Sequence, residues 1–189
     1  MPITIGIDLG TTNTAVSYMK NGRPVMLQNE KGYTVFPSIV FWDRNNDVIL
    51  GRRARSKMLT APDRGVFAVK RLMGLRHDSD KVAEIQKRIP YQISPASDGM
   101  CLVQAGNKEY SPVEVAALIL KEAKNVAEYA LDEEVTGAVI TVPAHFNHAQ
   151  RDMTKRAAVQ AGLRCDLIIN EPTAAALAYG FRQDSEKKV

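Results

Sequence analysis

The sequence predicts an α/β lobe, a mixed β-sheet flanked by helices, with a smaller α+β subdomain inserted in it. Three observations carry that reading. The chain opens with alternating apolar strands joined by tight polar turns, the pattern of an antiparallel meander. Near its end two short apolar runs, Gly137–Pro143 and Leu167–Asn170, each follow a helix pattern, as parallel strands do. Between the opening strands and these two runs, residues 38–111 change texture, with short β-like runs broken by turn dipeptides and helical stretches.

Taken in order, Ile3–Asp8 alternates apolar with small or polar residues and reads as a strand. A second strand begins at Ala15, and Asn21-Gly22 separates it from Pro24–Gln28, a strong hairpin signal. In the inserted segment, Ser38–Trp42, Val48–Gly51, Tyr91–Ser94 and Met100–Gln104 are the strand candidates, broken by Asn45-Asn46, Asp98-Gly99 and Asn107. Ser111-Pro112-Val113-Glu114 is a helix start, with serine as N-cap, proline in the first position and glutamate closing a capping box. Val115, Ile119, Val126 and Ala130 mark its apolar stripe. Gly137–Pro143 is expected to be a strand buried on both faces. Asn147-His148-Ala149-Gln150 repeats the capping box, and that helix is expected to stop at Gly162. Leu167–Asn170 reads as a second buried strand. Glu171-Pro172 then opens an alanine-rich helix expected to close at Gly180, ahead of a frayed charged tail. The predicted division is a core of residues 1–37 and 112–184, an insertion of 38–111, and a tail of 185–189.

Composition narrows the function classes. The 189 residues suffice for one core, and 45% hydrophobic with 24% charged residues is ordinary for a soluble globular protein. The net charge of +4 is modest. The basic cluster Arg52-Arg53-Ala54-Arg55-Ser56-Lys57 lacks interleaved aromatics, so it reads as a solvated helix face and not a nucleic-acid surface. The two cysteines, Cys101 and Cys165, show no metal or redox spacing and point to a reducing compartment. No signal-peptide layout or membrane-length apolar run occurs, so the expected location is the cytoplasm.

The residues that carry chemistry begin at the first turn. In Ile5-Gly6-Ile7-Asp8-Leu9-Gly10-Thr11-Thr12-Asn13-Thr14, a strand ends in a carboxylate and turns on glycine. Backbone amides fanned around such a turn cradle a phosphate, and the adjacent aspartate suits magnesium held through water. Glycine lets the backbone approach closely, because no Cβ intervenes. A polar hairpin turn is the alternative. Neither G-x-x-x-x-G-K-[ST] nor G-x-G-x-x-G is present. In α/β sheets ligands gather beyond the carboxyl ends of the strands, where Asp8, Pro143 and Glu171 are all expected. The positive end of a helix suits Glu171 to hold or polarise a water; plain N-capping is its alternative role. Lys70, in Phe67–Gly74, could neutralise charge on a terminal phosphate, although by sequence alone a solvated Lys70-Arg71 pair is the commoner case. His145 and His148 lack a third ligand and read as part of a helix start, not a zinc site.

Four segments resemble the seventy-kilodalton heat-shock proteins (heat shock protein 70 family), the DnaK-like molecular chaperones: IGIDLGTTN at Ile5–Asn13, VKRLMG at Val69–Gly74, VITVPAHFNHAQR at Val139–Arg151 and IINEPTAAALAYG at Ile168–Gly180. The last two are the most specific; the first is shared with actin-like filament proteins and sugar kinases. The resemblance extends over essentially the whole chain and implies the amino-terminal half of a nucleotide-binding domain. Its fold would be the actin-like ATPase (ribonuclease H-like) fold, closing on ATP or ADP with magnesium. By that resemblance, Gly10, Thr11, Thr12 and Asn13 form the first phosphate loop. Asp8 and Glu171 arrange the magnesium shell and the attacking water. Lys70 contacts the terminal phosphate and that water, and Arg71 positions the cleft beside it. Pro143, Arg151 and Lys155 belong to a switch that relays nucleotide state to a peptide-binding domain; without the resemblance, Arg151 and Lys155 read as a simple surface pair. Asn170 and Thr173 fall on the surface that docks a J-domain co-chaperone.

Departures from the family pattern are informative as well. No D-x-G-G-G-T segment, and no Gly-Gly at all, occurs in these residues, nor does a peptide-binding domain. The chain is therefore expected to be one lobe of an ATP-dependent chaperone, binding nucleotide weakly and hydrolysing little by itself. Leu167 replaces an arginine common in relatives, which weakens steering of an acidic-loop J-domain. His145 replaces a more usual aromatic. Unfolded polypeptide clients and a nucleotide exchange factor are the other implied partners. The alternatives are an actin-like cytoskeletal filament subunit and a sugar or metabolite kinase of the same superfold. The Lys70-Arg71 segment and the Glu171–Gly180 run argue against the filament, and no sugar-binding carboxylate set is visible for the kinase.

Overall fold

The computed structural model describes residues 3–186, and the side chains among them through Tyr179. In chain order it comprises β1 (Ile3–Leu9), β2 (Asn13–Lys20), β3 (Arg23–Met26), β4 (Val35–Pro37), β5 (Ile39–Trp42), β6 (Val48–Leu50), α1 (Gly51–Met58), β7 (Gly65–Phe67), α2 (Asp80–Gln86), β8 (Ile93–Pro95), β9 (Cys101–Ala105), β10 (Lys108–Tyr110), α3 (Pro112–Leu131), β11 (Val135–Val142), α4 (His148–Gln160), β12 (Arg164–Asn170) and α5 (Glu171–Glu186). Two 3₁₀ turns flank β7, at Pro62–Arg64 and Val69–Arg71.

A six-stranded mixed sheet is the frame, in the order β12-β11-β1-β2-β3, with β4 also paired to β2. β1 runs parallel to β11, and β11 parallel to β12, while β2 is antiparallel to β1, β3 and β4. The β2–β3 turn is made by Asn21 and Gly22 at φ 52° and 74°, the left-handed pair that matches the twist of a hairpin. The period of two along β1 sends Ile5, Ile7 and Leu9 to one face, where they meet Ala138, Ile140 and Val16 in register. All are buried there, and α3 packs over β1, β2 and β11 while also contacting α4. Burying each such aliphatic side chain stabilises the fold by about 1.5–3 kcal/mol. Two smaller sheets, β6-β5-β7 and β10-β9-β8, lie between β4 and α3 in the chain.

Both predicted capping boxes are formed. Ser111 Oγ accepts from Glu114 N at 3.2 Å, and Glu114 Oε2 accepts from Ser111 N at 2.7 Å. Asn147 and Gln150 repeat the exchange at the start of α4, and that helix gives way to Gly162 at φ 76°.

Four expectations need correction. Ala130 is exposed, and the apolar stripe of α3 runs instead through Val115, Ile119, Leu120, Ala123, Val126 and Ala127. β11 is fully buried on one face only, since Val139 and Thr141 on the other are half-buried. β12 is not buried: it is the sheet's edge strand, and Leu167 is 54% exposed. α5 does not close at Gly180 but continues to Glu186; alanine-rich flanks and the absence of a proline beyond Pro172 let it run on. Of the tail at 185–189, residues 187–189 lie outside the described residues.

The Ser111 cap provides a local test of the longest helix. Ser111→Ala is expected to cost about 1 kcal/mol, which for a chain of this size lowers Tm by about 2–4 °C in a thermal melt. An unchanged Tm would show that α3 is held by packing alone.

Candidate functional site

β1, β11 and β12 are parallel, so their carboxyl ends reach the same edge of the sheet. Asp8 is in register with Thr141, and Val142 with Asn170, the residue before Glu171. Thr141 Oγ1 donates to Asp8 Oδ1 at 2.7 Å, fixing the exposed carboxylate beside the first turn. Thr141 was not identified from the sequence. Its role follows from the β1–β11 register, which no local pattern encodes.

The turn after β1 is tight. Gly10 N donates to Asp8 O at 3.1 Å, and Ser38 Oγ donates to Gly10 O at 2.7 Å. A Cβ on Gly10 would lie 2.3 Å from Asn13 O, so no other residue fits without moving the turn. Asn13 opens β2 and is exposed, as is Thr12. Among the described residues, the amides of Thr11 and Thr12 donate no internal hydrogen bond. Two N–H groups without an internal partner, on a turn held from behind, are donors of the kind an anion can use.

Lys70 comes to this place from the 3₁₀ turn after β7. It is only 3% exposed, and its Nζ reaches three acceptors: Leu9 O at 2.5 Å, Glu171 Oε1 at 2.8 Å and Thr141 O at 3.4 Å. The Phe146 ring centroid lies 5.7 Å from the same nitrogen. A buried ammonium needs this degree of compensation, because desolvation is costly when unpaired. Sequence alone favoured a solvated Lys70-Arg71 pair; only Arg71 is exposed. The turn is held from behind by Tyr91, whose hydroxyl donates to Phe67 O at 2.6 Å. Burial pushes the Tyr91 hydroxyl well above the ordinary phenol range, partly offset by the Arg71 charge, so it remains a donor. Ala68, between them, has φ 54°, a left-handed conformation unusual for a residue with a Cβ.

Of the switch candidates, Pro143 lines the cleft beside Lys70, whereas Arg151 and Lys155 line a separate, smaller cavity. Thr11, Lys70, Arg71, Pro143 and Phe146 are among the residues lining a cleft of about 640 Å³. Pro143 O accepts from Phe146 N at 3.1 Å, and His145 meets Phe146 edge to face with centroids 5.8 Å apart. Arg151 Nε donates to Phe146 O at 3.1 Å, and its Nη2 donates to Asn170 Oδ1 at 2.6 Å. Arg151 therefore ties the loop after β11 to the end of β12. Lys155 is exposed one turn further on, and lines a smaller cavity of about 230 Å³ with Arg151 and Leu167. Thr173 is exposed on α5.

The fit to a magnesium nucleotide can be tested on these groups. Asp8 and Glu171 stand at the same edge, and Glu171 keeps 41% of its side chain exposed. No group of three or more His, Cys, Asp or Glu able to hold a metal occurs among the described residues. Two carboxylates beside an amide cradle suit a hard cation that retains most of its waters and is shared with phosphate oxygens. The residues present fit.

A sequence model of the Hsp70 protein family matches residues 4–189. The mixed sheet flanked by helices is that family's actin-like ATPase architecture, and its members in general bind ATP or ADP with magnesium. With the match covering nearly every residue, this chain belongs to the Hsp70 protein family and is of the Hsp70 chaperone type.

Proposed function

We propose that this chain is the first nucleotide-binding lobe of an ATP-dependent chaperone, which couples ATP hydrolysis to binding and release of unfolded polypeptides. The observation that carries the reading is the convergence of an open amide cradle, Asp8 and the buried Lys70–Glu171 pair at one sheet edge. In this reading Gly10–Asn13 bind phosphate oxygens, and Asp8 with Glu171 orient the water shell of magnesium. When bound, magnesium supplies charge neutralisation at the phosphoryl group under attack. Lys70 has three N–H donors and three acceptors. Its longest contact, 3.4 Å to Thr141 O, is the one most readily exchanged for a phosphate oxygen, leaving Glu171 paired. Glu171, with half its carboxylate free of that pair, orients the attacking water. Arg71 lines the cleft wall beside Lys70.

The division into a core of 1–37 and 112–184 and an insertion of 38–111 belongs to this proposal, supported by the separate small sheets of the middle segment. The relay through Pro143, Arg151 and Lys155 is supported by the bonds from Arg151 to both Phe146 O and Asn170. Asn170 and Thr173 are the proposed J-domain surface, weakened by an exposed Leu167 where a cation would steer the partner. Unfolded clients act through a domain outside these residues, and a nucleotide exchange factor is the further proposed partner. A cytoplasmic setting is supported by the two free cysteines and by the absence, among the described residues, of a helix long and apolar enough to cross a membrane.

Half a cleft grips its ligand weakly. Calorimetric titration of the 189-residue chain with magnesium-ATP is expected to give a Kd of about 0.1–1 mM, with turnover near background. No saturable heat up to several millimolar, or steady hydrolysis like that of a complete ATPase domain, would contradict the proposal. Lys70→Ala should weaken that binding tenfold or more, equivalent to about 1.4 kcal/mol. Gly10→Ala should both abolish binding and lower stability by about 1–3 kcal/mol from the forced contact with Asn13 O; a melt and a titration on the same sample separate the two effects.

A further inference from the structure

We propose that Gln150 is a positioning residue for Lys70: its side-chain amide latches the turn carrying Lys70 onto the first turn of α4. The idea rests on the reading of Lys70 as part of the nucleotide site, but the contacts themselves do not depend on that reading.

By sequence, Gln150 is only the last member of a capping box. In the structure its side chain works at both ends. Oε1 accepts from Asn147 N at 3.1 Å, completing the cap, while Nε2 donates to Met73 O at 3.1 Å. An amide has both functions in one planar group, and a carboxylate has only the first. The close approach is built in on the other side as well: Gly74 sits at φ 72°, and a Cβ there would lie 2.9 Å from Gln150 Cγ. The carbonyl of Gln150 accepts from the buried Thr154 Oγ1 at 2.9 Å, which anchors the same residue within α4.

Met73 is three residues from Lys70 along one compact turn. Arg71 N donates to Ala68 O at 3.0 Å and Leu72 N to Val69 O at 2.9 Å. Leu72 and Met73 are fully buried, so the turn moves as a unit. The next residue on α4, Arg151, reaches the other way, to Asn170 beside Glu171. Adjacent residues on one helical turn thus hold the backbone behind Lys70 and the Asn170 side chain next to Glu171. The first turn of α4 sets the separation across the ion pair, with Gln150 as its Lys70-side arm.

Gln150→Glu separates latch from cap, since glutamate still closes a capping box but offers no donor to Met73 O. The readout is the rate of Lys70 amine acylation by peptide mass spectrometry on the folded 189-residue chain, normalised to the exposed Lys121. Lys70 is expected to be strongly protected in the parent chain and to react at least fivefold faster in Gln150→Glu. Gln150→Met, which removes both amide functions, should do the same and serves as the second variant if the glutamate destabilises the fold. Asn147→Ala loses the cap but retains the latch, and should leave Lys70 within twofold of the parent even where its Tm falls. A Lys70 rate within twofold of the parent in both Gln150 variants overturns the proposal, as does an Asn147→Ala rate as high as theirs. No nucleotide enters this measurement: a positive result with a failed magnesium-ATP titration would sink the nucleotide reading and leave the latch standing.

Discussion

A buried ammonium at Lys70 constrains everything around it. The nitrogen is held by β1 through Leu9 O, by β11 through Thr141 O, and by α5 through Glu171. Three elements distant in sequence must each deliver an acceptor to one point, because a charge left unpaired in the interior costs several kcal/mol, about 3–5 when one partner of a buried pair is removed. The parallel order β12-β11-β1 meets that demand. It brings three carboxyl ends to one edge, and the 3₁₀ turn after β7 inserts the lysine among them. Glu171 remains half open, so the pair is sealed on the lysine side and accessible on the carboxylate side. That asymmetry suits a site in which one partner fixes geometry and the other meets solvent and ligand.

The first turn serves the same edge by a different means. Gly10 is pinned by Ser38, a Cβ there would collide with Asn13 O, and the Thr11 and Thr12 amides donate no internal hydrogen bond among the described residues. Buried Thr14 shares a 2.9 Å hydrogen bond with Ser38, so the cradle is braced from the start of the following strand. Cradle and ion pair are thus separate devices on a shared sheet, which is why family segments far apart in sequence converge.

What the sequence made legible was local. Asn21-Gly22, Ser111–Glu114 and Asn147–Gln150 each carry a complete turn or cap grammar, and each forms as read. Period-two alternation fixed β1 and its Asp8. What stayed hidden depended on register and neighbours. Lys70 has no local mark distinguishing it from Arg71, yet one is buried and the other solvated; the difference comes from which strand ends happen to lie alongside. Thr141 and the second arm of Gln150 were invisible for the same reason. The apolar run Leu167–Asn170 misled because hydrophobic content reports what a strand could bury, not whether it lies at the sheet's centre or its edge. Gly180 misled because a glycine within alanine-rich surroundings is tolerated in a helix at a cost of about 1 kcal/mol.

Ala68, at φ 54° just ahead of the lysine-bearing turn, has a broader implication. A glycine would occupy that left-handed well without the steric penalty of about 1–2 kcal/mol that a methyl group incurs. It would also hinge freely, and the chain would then reach the lysine through a loose pivot. Keeping a side chain at that spot sacrifices some folding free energy for stiffness, and the scaffold thereby trades durability for accuracy of aim.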